Sequence, residues 1–157
     1  MATSTLLQYL DSTDGSGNAL GITASNRRQV ERFIASASIK AGDMVCLDLT
    51  KANVGDQGLY ITTANRSSGD TILAIGFALE AADANEDCNV TVAGLHESAA
   101  VKTGIATGGR LIAPDVGGGG TAGRAEEYTG AESVPVIGYC LKTAAANVAN
   151  VFVIKQF

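Results

Sequence analysis

The chain has 157 residues, of which 17% are charged and 5% aromatic, with no Trp, 19 Gly and a net charge of −5. That is the length of one domain. It is too apolar for a disordered chain, it lacks the run of about 18 apolar residues that a membrane helix needs, and its acidic balance is poorly suited to a phosphate backbone.

The start of the chain reads as an arm over residues 1–35. Its one apolar patch, Leu6-Leu7-Gln8-Tyr9-Leu10, is followed by the turn-rich Asp11–Asn18, a composition that suits a segment ordered on a partner. No basic region precedes an apolar stretch, so no secretory signal is expected. Residues 1–40 carry four basic groups (Arg27, Arg28, Arg32, Lys40) against three acidic ones, whereas the remainder carries seven basic against thirteen acidic. Within Asn26–Ala35, Val30, Phe33 and Ile34 have helical spacing, but Val30, Arg32 and Ile34 alternate as in a strand. The strand is preferred, because the neighbouring segments are β.

From residue 36 to 157 the chain reads as short β-branched and apolar runs separated by Gly, Asp and Asn, the signature of an all-β fold. The strands are expected at 30–35, 44–49, 58–63, 71–79, 89–95, 98–102, 109–113, 134–141 and 150–156. Gly42-Asp43, Gly69-Asp70 and Gly108-Gly109 read as turns. Ala81–Ala84 and Thr143–Ala146 could each form one helical turn. Residues 114–124, with four successive glycines, read as a long surface loop.

These strands contain an internal repeat. Ile75-Gly76-Phe77-Ala78-Leu79 returns as Ile137-Gly138-Tyr139-Cys140-Leu141, and each copy is followed by a β-prone segment, Asn89–Val92 or Asn150–Ile154. Upstream, Ile39–Leu47 corresponds to Ile105–Ala113, with Gly42 set against Gly108. The β domain therefore divides into halves at 36–95 and 102–157, expected to form a small barrel or sandwich.

Motifs that would carry chemistry lack their context. His96 is the one histidine and is followed directly by Glu97 and Ser98; adjacent residues on a strand point to opposite faces, so they cannot form a triad, and a surface turn is expected there. Gly118, Gly120 and Gly123 fit G-x-G-x-x-G, yet Arg124–Gly130 allows at most two helical turns and Pro114 interrupts the preceding run, so no pyrophosphate site is read there. Asp83–Asp87 offers oxygen ligands without the spacing of a calcium loop. Cys46, Cys88 and Cys140 form no C-x-x-C pair and include at least one free thiol. Cys46 and Cys140 lie in apolar runs and are expected to be small buried hydrophobes. No catalytic residue, metal site or cofactor is assigned.

Ile39-Lys40-Ala41-Gly42-Asp43-Met44-Val45, then Ile75–Ala82, then Asn89-Val90-Thr91-Val92, resembles the capsid decoration (cement) proteins of tailed bacteriophages. The second half departs from that pattern, with Gly109 where the family has Asp and Lys142-Thr143 in place of Glu-Ala. The segment from Leu6 through Glu31 is similar to the arm of podophage decoration proteins. The resemblance implies a non-enzymatic virion protein, made in the host cytoplasm and added to the outside of the expanded head. Its partner would be the major capsid protein, and it would be a homo-oligomer, a trimer rather than a dimer, with no nucleic acid and no membrane involved. Capsid contacts are then expected from Leu6, Leu7, Tyr9 and Leu10 as apolar anchors and from Arg27, Arg28 and Arg32 as charges. The alternative is a binding module of a phage fibre or bacterial surface, against which the absence of Trp and the four Tyr weigh mildly. A hydrolase is disfavoured by the single His.

Overall fold

The computed structural model describes residues 28–64, 74–105, 108–115, 121–130, 135–142 and 146–154. The fold is all-β. In chain order the strands are β1 (Arg28–Ala35), β2 (Met44–Leu47), β3 (Tyr60–Thr63), β4 (Ala74–Ala78), β5 (Asp87–Ala100), β6 (Arg110–Pro114), β7 (Ala125–Glu127), β8 (Gly138–Cys140) and β9 (Val148–Val153). Among the described residues one short helix, α1 (Val54–Gln57), lies between β2 and β3.

The strand order is β1-β3-β2-β4-β5-β9-β8-β6-β7, and β1 also pairs with β5. The first five strands therefore close on themselves as a barrel. The remaining strands make a second ring, β5-β9-β8-β6-β7, which returns to β5 through a parallel bridge between Val101 and Ala125. β5 is long enough to serve both rings. It pairs with β1 over residues 87–94 and with β9 over residues 94–100.

The two rings have the same wiring. β1 pairs with β3 in parallel, as the end of β5 does with β7; β2 pairs with β3 and β4 as β6 pairs with β7 and β8; β4 pairs with β5 as β8 does with β9. Individual hydrogen bonds also match. Leu79 N–H donates to Asn89 O as Leu141 N–H does to Asn150 O, and Ser36 N–H donates to Ile61 O as Lys102 N–H does to Ala125 O. The halves thus begin one strand earlier than 36 and 102: β1 is part of the first barrel, and the end of β5 is its counterpart in the second. Residues 28–35, expected to belong to the arm, are a barrel strand, and residues 1–27 lie outside the described residues.

Each barrel is filled by equivalent side chains. Ala35, Val45, Ile61, Ile75, Ala78 and Val90 in the first correspond to Val101, Ile112, Ala125, Ile137, Cys140 and Val151 in the second. One glycine in each half permits the closure. A Cβ on Gly76 would lie 2.1 Å from Thr91 O, and one on Gly138 would lie 2.2 Å from Phe152 O, so only a bare Cα fits where these strands cross.

Four sequence expectations are corrected. Gly42 donates to Ala78 O while Gly109, not Gly108, donates to the equivalent Cys140 O; both adopt left-handed backbone, φ 85° and 81°. The repeat is therefore offset by one residue at that turn, and Asp43 matches Arg110. Segments 89–95 and 98–102 are one strand, because Glu97-Ser98 is a bulge rather than a turn, with Ser98 at φ 64°. Residues 81–84 make no helical turn, since Ala82 bridges to Ile39. Finally, Ala125–Glu127 is a strand that no β-branched residue announced. Gly69-Asp70 and residues 143–145 lie outside the described residues.

Candidate interaction surface

Of the expected contact residues, Leu6, Leu7, Tyr9, Leu10 and Arg27 lie outside the described residues. Arg28 and Arg32 are on β1. The first three residues of that strand are exposed, and the strand is fixed on one edge by β5 and at its far end by β3. The described start of β1, Arg28, is therefore held in a closed sheet. Arg32 forms an ion pair and hydrogen bond with Asp87, which raises the guanidinium pKa. Both groups are largely solvated, so the pair adds little to stability, but it leaves Arg32 committed to a neighbour on its own surface.

Sequence reasoning missed a row of apolar side chains on the second barrel. Leu111 is paired with Tyr139 across β6 and β8, and Tyr139 with Phe152 across β8 and β9. They are 38%, 40% and 39% exposed, while their strand neighbours Ile112, Cys140, Val151 and Val153 point inward and are buried. Cross-strand partners share a face, so these three side chains form one outward strip. Alternation in Val148–Val153 and the Ile-Gly-Tyr pattern signal it, but only the pairing shows that the three residues align.

The same positions in the first barrel are Met44, Phe77 and Thr91, and all three are fully buried. Met44 and Phe77 join Cys46, Ala64 and Ala74 in the cluster that also holds the second barrel's interior, so this face is sealed by the second half of the chain. Phe77 stacks on His96, with ring centroids 5.4 Å apart. The imidazole Nδ1 shares a 3.0 Å hydrogen bond with Thr91 Oγ1. His96 is therefore a buried packing residue and not the surface turn residue expected. Burial, aided by the positive charge of Arg28, lowers its pKa to about 4, so the ring is neutral at pH 7.

The other motifs resolve as structure. Cys46, Cys88 and Cys140 are buried and in no disulfide, with burial as expected for Cys46 and Cys140, and burial raises the Cys88 thiol to about 11. Asp83–Asp87 is a turn in which Asn85 adopts φ 68°, the Asp83 amide donates to the Glu86 carboxylate and Asp87 pairs with Arg32. Among the described residues no three His, Cys, Asp or Glu side chains are placed to share a metal ion. Gly123 precedes a strand rather than a helix, so its glycine pattern lacks the helix N-terminus a pyrophosphate needs.

Asp48 and Asp115 occupy equivalent, buried positions just after β2 and β6. At Asp48, burial would raise the pKa, but hydrogen bonds from Ser36 and Thr50, with the nearby charge of Lys51, hold the carboxyl below its ordinary value. Lys102 lies between Asp115 and Glu126, 3.8 and 3.0 Å from their oxygens. A cleft of about 490 Å³ between the barrels is lined by Ser38, Lys40, Asp43, Arg124 and Asn147. There, burial raises the Asp43 carboxyl pKa against the opposing pull of the Lys40 amide and the Lys40 and Arg124 charges. The cleft mixes charges of both signs and shows no preference for an anion or a cation. No helix among the described residues is long and apolar enough to cross a membrane. No protein-family model matches the chain, nor does any curated protein match it significantly.

Proposed function

We propose that this chain is a capsid decoration protein, which binds the outer surface of a tailed-phage head and stabilises its expanded lattice. The observation that carries this reading is the position of the motifs. The Ala41-Gly42-Asp43 turn leads into β2, Ile75–Leu79 runs along β4, and Asn89–Val92 lies in β5, with counterparts on β6, β8 and β9. The residues behind the resemblance thus build the duplicated scaffold itself. The scaffold presents to solvent the exposed start of β1 and the apolar strip, and a contiguous exposed apolar patch is a feature of a binding surface.

The physical mechanism is linkage. A ligand that binds only the expanded shell stabilises it by RT ln(1 + [L]/Kd), about 2.7 kcal/mol per site at a hundred times Kd. Many sites acting together resist the pressure of packaged DNA. An extended segment before Arg28 would bind by pairing its backbone with an exposed sheet edge on the major capsid protein, with Leu6, Leu7, Tyr9 and Leu10 filling pockets and Arg27 and Arg28 meeting acidic groups. β1 would carry the load from that segment into the barrel.

Co-sedimentation with heads of the phage that encodes this chain tests the reading. The full chain is expected to pellet with expanded heads and not with unexpanded ones, and a chain lacking residues 1–25 is expected to remain in the supernatant. Equal binding to both shell forms, or to neither, overturns the proposal. Binding retained after the deletion removes the arm from the mechanism.

A further inference from the structure

We infer that the Leu111–Tyr139–Phe152 strip is the docking site, in the free protein, for the chain's own apolar patch Leu6-Leu7-Gln8-Tyr9-Leu10. The strip extends beyond three strands. Phe152 is also the cross-strand partner of Leu95 on β5, which is half-buried. Leu111, Tyr139, Phe152 and Leu95 therefore make one row on a shared face across β6, β8, β9 and β5. That row ends beside the point where the first 27 residues join the fold. Gly94, next to Leu95, is paired with Val153 on β9 and with Arg28 on β1. Because β1 is antiparallel to β5, its first residue lies at the Leu95 end of their pairing.

Reach and chemistry select the occupant. From Leu95 to Leu111 is three strand spacings, about 14 Å. Residues 11–27 contain three Gly and three Ser, and a flexible tether of that length has an r.m.s. span of roughly 20–25 Å. The tether thus matches the row and holds the patch there at about millimolar effective concentration. A second copy of the chain would compete only at comparable protein concentration. The patch brings four apolar side chains to the row's four, and no charged side chain precedes Asp11. No other five-residue stretch outside the described residues holds as many apolar side chains.

The contact is made by side chains rather than by strand addition, because β6, β8 and β9 each have a strand on both sides. Leu6 and Leu10, and Leu7 and Leu10, have the i, i+4 and i, i+3 spacing that puts side chains on one side of a helical turn laid over a sheet face. Leu111, Tyr139 and Phe152 are already more than half buried in their own sheet, so docking is a shallow contact that a competing surface can displace. The inference requires no shell and stands apart from the capsid reading. On that reading, the major capsid protein would have to draw the segment off the strip.

A single fluorophore tests it. The chain has no Trp, so Tyr9→Trp places one reporter in the full-length protein. Its emission is expected to be blue-shifted and poorly quenched by acrylamide. Adding Leu111→Ser with Phe152→Ser is expected to lower the ratio of docked to free segment about ten-fold, with circular dichroism checking the fold. Refolding that variant with an excess of wild-type chain is expected to leave the reporter exposed. Leu7→Ser with Leu10→Ser, which leaves both barrels unaltered, is expected to shift the NMR signals of Leu111, Tyr139 and Phe152. A reporter that is exposed in the otherwise unaltered chain overturns the inference, as does a buried one indifferent to substitution of the strip. Recovery of the blue shift with added wild-type chain assigns the strip to a second copy and overturns it too. So do strip signals that ignore Leu7→Ser with Leu10→Ser.

Discussion

Phe77 and Tyr139 hold the same position in two copies of one barrel, yet Phe77 is fully buried against His96 while Tyr139 is 40% exposed. The duplicated sequence sets the local structure, and the order of the halves decides which copy is covered. Truncation separates the two roles. Phe77→Ala is expected to cost about 3–5 kcal/mol of unfolding free energy, as for other buried aromatic rings. Tyr139→Ala is expected to cost less than about 1 kcal/mol in denaturant titrations of dilute protein. Similar losses at both positions would mean that Tyr139 is packed within its own chain.

The crossing glycines should be intolerant of the smallest side chain. Gly76→Ala and Gly138→Ala each place a Cβ within 2.2 Å of a carbonyl oxygen on the next strand, and each is expected to destabilise by at least about 2 kcal/mol. Gly55→Ala is the control. Its Cβ would meet nothing within 4 Å, and in the short helix it is expected to be neutral or stabilising by up to about 1 kcal/mol.

His96 gives stability a defined pH dependence. Its pKa is about 4 when folded against an ordinary value of 6.5, lowered first by burial and then by the charge of Arg28. Between those values the unfolded chain binds the proton and the folded chain does not, so stability falls as pH drops from about 6.5 to about 4. The full effect is about 3 kcal/mol. Urea titrations at several pH values should show this slope in the wild-type chain and not in His96→Gln. A slope unchanged by the substitution would assign the effect to carboxylates instead.

The cysteines should be silent in the native protein. Cys46, Cys88 and Cys140 are buried, and the Cys88 thiol, with burial raising its pKa to about 11, is almost wholly protonated at pH 8. Since the thiolate is the nucleophile, a thiol reagent is expected to label none of the three before unfolding and all three after. Fast labelling of any one would show that its barrel opens readily.

The all-β class and the repeat were legible because Ile-Gly-aromatic strands and their glycine turns are local signals. The one-residue offset at the second turn was not, because Gly108 and Gly109 are alike until a hydrogen bond selects the one with positive φ. β7 escaped because Ala125-Glu126-Glu127 favours helix, and its strand is imposed by pairing with β6. His96 was misplaced because Phe77, which comes from the other barrel, buries it. The apolar strip was hidden for the same reason, since exposure there depends on which half covers which. Of the residues named as capsid contacts, Arg28 and Arg32 fall on β1, where Asp87 already engages Arg32.

An electron-microscopy reconstruction of the virion that carries this chain, at a resolution that traces its backbone, puts the decoration role to its plainest trial. Double barrels are expected on the outer face of the shell, with residues 1–25 lying on the major capsid protein. Mature heads with no copies of the double barrel on their exterior would contradict that role.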